Sequence, residues 1–234
     1  MAKMVGLSQN IRLAWLNKAL QLSMEEPDEP TIKEKINEYL SFEIKSAINI
    51  RKSREILLKL WYYENPQTDN IRQQAKECYR INPANAVPLH WGMLLMEYPV
   101  FGDVSRLINK MTEFGDSFTP AQLRQKVFDA WGERSTLYYS VDKILATMRN
   151  LGVLQAEKGK YSVVPLDITC AEVASALLQA VMQENGAGYV AYSEINSIAE
   201  LFPFRYSLSK EQLMKDQHFR MSVFGGEQMV LPNT

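Results

Sequence analysis

Residues 117–165 contain the pattern that most restricts the fold of this chain, with two amphipathic helical segments that each end at a glycine. Thr119-Pro120 is typical of a helix N-terminus, because the hydroxyl can cap the first turn and proline at the first helical position loses no hydrogen bond. Leu123 and Val127 follow at helical spacing, and Gly132 can end the helix because it tolerates a positive φ. The pattern predicts a helix over residues 119–131.

A second helix is predicted over residues 135–151. Ser135 or Thr136 can cap its start, and Gly152 follows its end. A spacing of three to four residues between apolar positions is typical of a helix with one buried face. The apolar positions here are Leu137, Val141, Ile144, Leu145, Met148 and Leu151.

A hairpin is predicted directly after this helix. Residues 153–157 and 160–164 have strand-like patterns, and Lys158-Gly159 joins them. Helix, sharp turn, helix and lysine-tipped hairpin is the element order of a winged helix-turn-helix, with a helix from Asp103 as its first member. This resemblance at the level of the fold points to DNA binding.

The whole chain is expected to be a mainly α protein with three consecutive domains. Residues 1–98 predict a helical bundle, because their helical patterns are joined by short turns that contain proline. Residues 99–165 are the predicted winged helix-turn-helix domain. Residues 166–234 predict a second small, winged-helix-like α+β unit, in which a helix from Ser193 is one of three helices that precede a hairpin at Gly225-Gly226.

Composition sets few limits on function. The chain has 234 residues and a formal net charge of −1, so any attraction for nucleic acid must come from a local patch. Cys78 and Cys170 lie far apart and form no metal-spaced motif, which fits a reducing compartment. No apolar run reaches the roughly 20 residues of a membrane-spanning helix, and the N-terminus lacks the apolar core of a signal peptide. We therefore expect a cytoplasmic protein that does not bind a membrane.

The candidate DNA-binding residues lie in or beside the two central helices and at the tip of the hairpin. The N-terminal residues of a recognition helix lie nearest the base edges, where hydroxyls and tyrosine rings can contact phosphates, sugars or bases. Residues 119–164 contain seven Lys or Arg and four Asp or Glu, a local excess of +3 that predicts moderate, salt-sensitive binding with limited sequence specificity. The candidates are Arg124, Lys126, Arg134, Ser135, Thr136, Tyr138, Tyr139, Lys143, Lys158 and Lys160.

Two other charged regions allow different interpretations. A second basic cluster consists of Lys45, Arg51, Lys52, Arg54 and Lys59. It can extend a DNA footprint, but an ordinary solvated helix face is favoured, because Arg51 and Glu55 can pair at i,i+4. From Asp167 onward, four Lys or Arg stand against eight Asp or Glu, and this net −4 disfavours DNA. Exposed aromatic residues in that region would suit a protein partner.

Catalytic signals are nearly absent from the sequence. His90, beside Trp91 in an apolar segment, is expected to be a buried or capping residue rather than a catalyst. His218 has no nearby cysteine or paired carboxylate in the sequence. Phosphate-binding loops, nucleophile elbows and metal-binding helix motifs do not occur. We therefore expect a protein that is not an enzyme and that holds neither a cofactor nor a metal.

Three segments carry a resemblance to a known family. They are HWGMLLMEYPVFGDV, the pattern F-T-x-x-Q-L-R-x-K-V-F from Phe118, and W-G-E-R-S-T followed by L-G-V-L. Together they resemble small, all-helical accessory proteins of phage-defence islands, and most of all the BrxA-like component of BREX systems. The resemblance covers residues 50–165. It implies an accessory protein that binds double-stranded DNA and acts with other proteins of a defence complex, and it transfers no individual DNA-contacting residue.

Two alternatives stay open from the sequence. One is an interaction scaffold that docks protein partners without touching DNA, because winged helices also serve as protein-binding modules. The other is a catalyst with an unrecognised site assembled from distant residues. The DNA sequence bound, the oligomeric state and the choice between a regulator and a part of the defence machinery are also left open.

Overall fold

A computed structural model describes residues 6–26, 28–113 and 115–233. These residues are mainly helical, with 60% helix in ten α-helices and with small sheets. The helices are α1 (Leu13–Glu25), α2 (Glu29–Ser41), α3 (Ala47–Trp61), α4 (Asp69–Ile81), α5 (Ala86–Glu97), α6 (Pro99–Thr112), α7 (Pro120–Trp131), α8 (Ser135–Asn150), α9 (Ala171–Asn185) and α10 (Lys210–Lys215). The strands are β1 (Leu154–Glu157), β2 (Lys160–Val163), β3 (Leu166–Asp167), β4 (Val190–Ala191), β5 (Phe204–Arg205), β6 (Phe219–Phe224) and β7 (Glu227–Pro232).

The chain forms two compact units, each assembled from two separate segments. Unit 1 consists of residues 1–64 and 111–164, and unit 2 consists of residues 65–110 and 165–234. This division differs from three consecutive domains, because α4 and α5 cluster with α9 rather than with the three helices that precede them. Most of α6, expected as the first helix of the winged domain, also belongs to unit 2.

The segment before α1 is fixed to α8 within unit 1. The backbone N–H of Ile11 donates to Thr147 Oγ1 at 3.0 Å, and Asn150 Nδ2 donates to the carbonyl of Ile11 at 3.0 Å. Ile11 and Thr147 are fully buried, so these bonds satisfy polar groups that water cannot reach. The last turns of α8 are therefore held against the N-terminal part of the chain.

The start and end of α7 confirm the predictions made from its sequence. Thr119 and Gln122 form a capping box, in which each side chain accepts from the other residue's backbone N–H. Gly132 ends the helix with φ +78°. The predicted cap of α8 is wrong, because Ser135 is its first helical residue and Arg134 occupies the N-cap position.

The hairpin after α8 is confirmed. Strands β1 and β2 pair antiparallel, and the turn between them places Lys158 and Gly159 at positive φ. Phe118, just before α7, adds an isolated antiparallel bridge to Tyr161, with N···O distances of 2.9 and 2.7 Å. The two rings stack with centroids 5.7 Å apart. The hairpin is thus joined to the residue that precedes the α7 capping box.

The core of unit 2 is built on α5 and α9. Helix α5 is buried on nearly every side, so it needs packing partners all around it. At Gly92 a Cβ atom would lie 3.4 Å from Ala180 and from Leu177, which shows how closely the two helices approach. Trp91 Nε1 donates to the carbonyl of Glu200 at 2.9 Å, and its ring packs edge-on against Phe101.

The remaining part of unit 2 holds short sheets. Strand β7 pairs with β6 and β4, and the predicted hairpin at Gly225-Gly226 is confirmed. The helix expected from Ser193 is wrong, because this region has turns and a three-residue 3-10 turn, Ala199–Leu201. The Asn196 side chain accepts from the N–H of Leu208 at 2.8 Å, and such a bond offers backbone groups an alternative to helix formation. None of the helices in the described ranges combines the length and the apolar character that crossing a membrane requires.

Candidate nucleic-acid interface

Helix α8 buries one apolar face against the rest of unit 1 and exposes one polar face to solvent. Successive residues of a helix are rotated by about 100°, and the apolar positions from Leu137 to Met148 all fall on the buried side. The polar residues on the opposite side are named here the outward face of α8. They are Ser135, Thr136, Tyr138, Tyr139, Asp142, Lys143 and Arg149.

Four hydroxyl groups of the outward face have no partner within the part of the chain that the structure describes. The side chains of Ser135 and Thr136 are exposed and cap nothing, since Arg134 holds the N-cap position. Tyr139 is 66% exposed, and Tyr138 is partly exposed beside it, with ring centroids 5.7 Å apart. All four hydroxyls are therefore available to donate to or accept from a ligand.

Arg124 has a different role from the one expected of it. Its guanidinium lies 4.5 Å from the centroid of the Tyr138 ring, and Nη1 lies 2.6 Å from Asp142 Oδ1. Phe128 stacks on Tyr138 as well, with centroids 6.4 Å apart. Because the Arg124 side chain is only 20% exposed, it holds Tyr138 and Asp142 in position rather than reaching outward. Arg124 is a positioning residue in this surface.

The outward face of α8 has a net positive charge. Its one acidic residue, Asp142, is paired with Arg124, which lies on α7. Among the described residues, the side chains of Lys143 and Arg149 form no salt bridge and no hydrogen bond. The positive end of the α8 dipole, at Ser135, adds to the attraction for an anion. The surface therefore offers two unpaired cations and no unpaired anion.

The tip of the β1–β2 hairpin adds two more cations. The Lys158 side chain is 89% exposed, and its Nζ lies 3.6 Å from a carboxylate oxygen of Glu157, which is also exposed. Exposed ion pairs of this kind contribute about 0–1 kcal/mol, so Glu157 leaves Lys158 free to exchange partners. Lys160 is exposed on the other side of the turn.

Two candidate residues lie apart from the outward face of α8. Lys126 is two positions after Arg124, a rotation of about 200° on α7, and so it points away from the side that packs on Tyr138. Arg134 is exposed in the turn before α8. Arg149 was missing from the candidate set, although its position 11 residues after Tyr138 puts it on the same side of the helix.

The two histidines lie in different surroundings. His90 is fully buried, and desolvation lowers its pKa to about 3. The expectation that His218 lacks a paired carboxylate is wrong, because its Nδ1 lies 2.7 Å from Asp216 Oδ1. Asp216 also accepts from Ser175, so this hydroxyl bonds to the carboxylate and not to the imidazole, unlike the nucleophile of a Ser-His-Asp triad.

Comparisons of the chain with protein-family models, with curated protein sequences and with solved structures found no match. The resemblance to BrxA-like proteins therefore rests on sequence patterns alone. In the described residues, groups of three or more His, Cys, Asp or Glu side chains suited to holding a metal ion do not occur.

Proposed function

We propose that this protein binds double-stranded DNA, with α8 as the recognition helix in the major groove and the β1–β2 hairpin as a wing on the backbone. The broader role that we propose is that of a DNA-binding accessory protein in a prokaryotic phage-defence or regulatory system. This broader role follows the resemblance to BrxA-like proteins of BREX systems.

One observation carries the proposal. The outward face of α8 combines four hydroxyls without partners in the described residues, two unpaired cations and an acidic residue already bound by Arg124. Hydroxyls and cations are the groups that bind phosphate and sugar oxygens, whereas an unpaired carboxylate would repel them.

The arrangement around α8 supports a winged helix-turn-helix. Helices α7 and α8 are separated only by Gly132, Glu133 and Arg134, which makes the turn sharp. The bridge from Phe118 to Tyr161 ties the hairpin to the start of α7, so that the wing has a fixed base. In this arrangement the N-terminal residues of α8 lie nearest the bases, and Lys143 lies one to two turns further along.

The experiment is a salt-resolved anisotropy titration of a labelled duplex with the Lys143→Glu/Lys158→Glu variant. Loss of two phosphate contacts lowers the slope of log K against log salt by about 1.8, which is about 30-fold in affinity at 0.15 M salt. The matched control is Lys210→Glu/Lys215→Glu on α10 in unit 2, which makes the same change of charge. If the two variants bind equally well, α8 and the hairpin do not hold DNA.

A protein-binding scaffold is the second candidate, and one observation favours it. At the β6–β7 turn in unit 2, Val223 is 62% exposed, and the ring of Phe224 packs on exposed Tyr189 with centroids 5.8 Å apart. An exposed apolar group in an acidic region is suited to a protein partner. This function is favoured if Val223→Lys/Phe224→Lys abolishes a stable complex with a purified partner while wild-type protein ignores DNA over the whole salt range.

A further inference from the structure

The first two turns of α3, together with the residues just before them, are mostly exposed to solvent. Every residue from Lys45 to Lys52 is exposed except Ile50, which is half-buried. Ile48 is 60% exposed, and Phe42, in the preceding turn, is 81% exposed. In contrast, the second half of α3 is packed by buried residues on most of its sides. The exposed part, residues 45–52, is called here the free end of α3.

The free end of α3 carries cations without partners. Within the described residues, the side chains of Lys45, Arg51 and Lys52 form no salt bridge and no hydrogen bond. Acidic residues are absent from the segment KSAINIRKSR, residues 45–54. The expected pairing of Arg51 with Glu55 does not occur, because Glu55 is bound by Arg54 at 2.6 Å and by Tyr63 at 2.8 Å.

The outward face of α8 and the free end of α3 are connected through the N-terminal segment of unit 1. Ile11 is bonded to Thr147 and Asn150 in the last turns of α8. Two residues before it, Gln9 Nε2 donates to Asn49 Oδ1 on α3 at 3.3 Å. The two surfaces therefore belong to one compact unit and are linked by hydrogen bonds through residues 9–11.

Acidic groups along this connection are already neutralised. Arg12 binds the carboxylate of Glu43 and lies over the ring of Trp15, which donates to the same carboxylate at 3.2 Å. Residues 6–24 contain no Asp or Glu. Along residues 6–24 a polyanion thus meets no carboxylate.

We propose that the duplex held by α8 continues over the free end of α3, where Lys45, Arg51 and Lys52 bind its phosphates. This inference rests on the proposed function and extends it from a single helix and wing to a longer backbone contact. The occupant is DNA because both surfaces carry unpaired cations and belong to the same compact unit.

The hydrogen-bonded path limits the distance between the two surfaces. From Lys143 through Thr147, Ile11 and Gln9 to Lys52 it measures at most about 35 Å, or about ten base pairs. Helix α8 itself is about 24 Å long, which a stem of about 8 base pairs spans. A short stem can fill the outward face of α8, whereas a duplex of about 24 base pairs reaches both surfaces.

The test compares these two DNA probes in salt-resolved titrations of wild type and Arg51→Glu/Lys52→Glu. On the duplex of about 24 base pairs, the slope of log K against log salt is expected to be less steep by about 1.8 for the variant than for the wild type. The affinity of the variant at 0.15 M salt is expected to be about 30-fold lower. On the stem of about 8 base pairs, it is expected to match the control Lys33→Glu/Lys35→Glu, which changes two paired lysines of α2. Circular dichroism verifies that both variants are folded.

The outcomes separate this inference from the proposed function. If Arg51→Glu/Lys52→Glu binds both probes like wild type while Lys143→Glu/Lys158→Glu loses binding, the inference is overturned and the proposed function stands. In that case Phe42 and Ile48 indicate a protein partner for the free end of α3. An equal loss on both probes also overturns the inference, because α3 would then bind DNA independently of α8. If neither variant alters binding, both proposals are overturned.

Discussion

The buried histidine of unit 2 makes the stability of that unit depend on pH. His90 is fully buried on α5, and loss of solvation lowers its pKa from the ordinary 6.5 to about 3. The unfolded chain takes up a proton below about pH 6.5, whereas the folded chain takes it up only near pH 3. Acid therefore favours the unfolded state, and stability from this source is complete above pH 6.5 and is lost as the pH falls towards 3.

The magnitude follows from the two pKa values. Between pH 7 and pH 5 the linkage removes about 2 kcal/mol from the free energy of unfolding of unit 2. With a urea dependence of about 2 kcal/mol per M, the unfolding midpoint moves down by about 1 M. Replacement by glutamine, His90→Gln, removes the titrating group. Between pH 7 and pH 5, the free energy of unfolding of this variant should therefore fall by about 2 kcal/mol less than that of the wild type.

Urea titrations at the two pH values, followed by pulsed hydrogen exchange of α5 peptides, measure unit 2 separately from unit 1. Leu89→Ala is the matched control, because it removes buried apolar volume from the neighbouring position without removing a titrating group. This control should be less stable at both pH values and should keep the pH dependence of the wild type. If His90→Gln keeps that dependence as well, the histidine does not resist protonation in the folded state and the reasoning is refuted.

Two further predictions concern the helices that form the candidate interface. Arg124→Met should lower the stability of unit 1 by about 1–2 kcal/mol, because the contacts of Arg124 with Tyr138 and Asp142 are lost. The same variant should bind DNA more weakly, because Asp142 is left unpaired. Adding Asp142→Asn should restore the binding but not the stability, as anisotropy and urea titrations of the single and double variants can show. Gly132→Ala should cost about 1–3 kcal/mol in urea unfolding, because φ +78° with ψ 151° is a backbone region that only glycine enters easily, and nothing within 4 Å would otherwise oppose a Cβ.

Features fixed by neighbouring residues could be predicted from the sequence. The capping box at Thr119, the end of α7 at Gly132 and the two glycine-containing hairpin turns depend on backbone conformations that few residues accept. The N-cap of α8 could not be predicted in this way, because Ser135 and Thr136 are both residues that favour the N-cap position. Its true position leaves the hydroxyls exposed, which matters more for the site than the cap itself.

Features that depend on contacts between distant residues could not be predicted. The sequence predicts that the charge of Arg124 is available to DNA, but Asp142, 18 residues away on another helix, binds it. The sequence shows that α5 is apolar, but not that α9, about 80 residues later, covers it. The division into units depends on such pairings, and helix patterns alone do not contain them.

The discontinuity of both units has a consequence for synthesis of the chain. Ile11 and its partner Thr147 are 136 residues apart, so at about 5–20 residues per second Ile11 is translated roughly 7–27 s before Thr147. During this interval α1 to α3 lack α8, the helix that completes their core. Nascent chains depend on chaperones in this period. Truncation of the gene at one point therefore cannot yield a whole unit. To encode unit 1 as one continuous polypeptide, a gene must join the codon of residue 64 directly to that of residue 111.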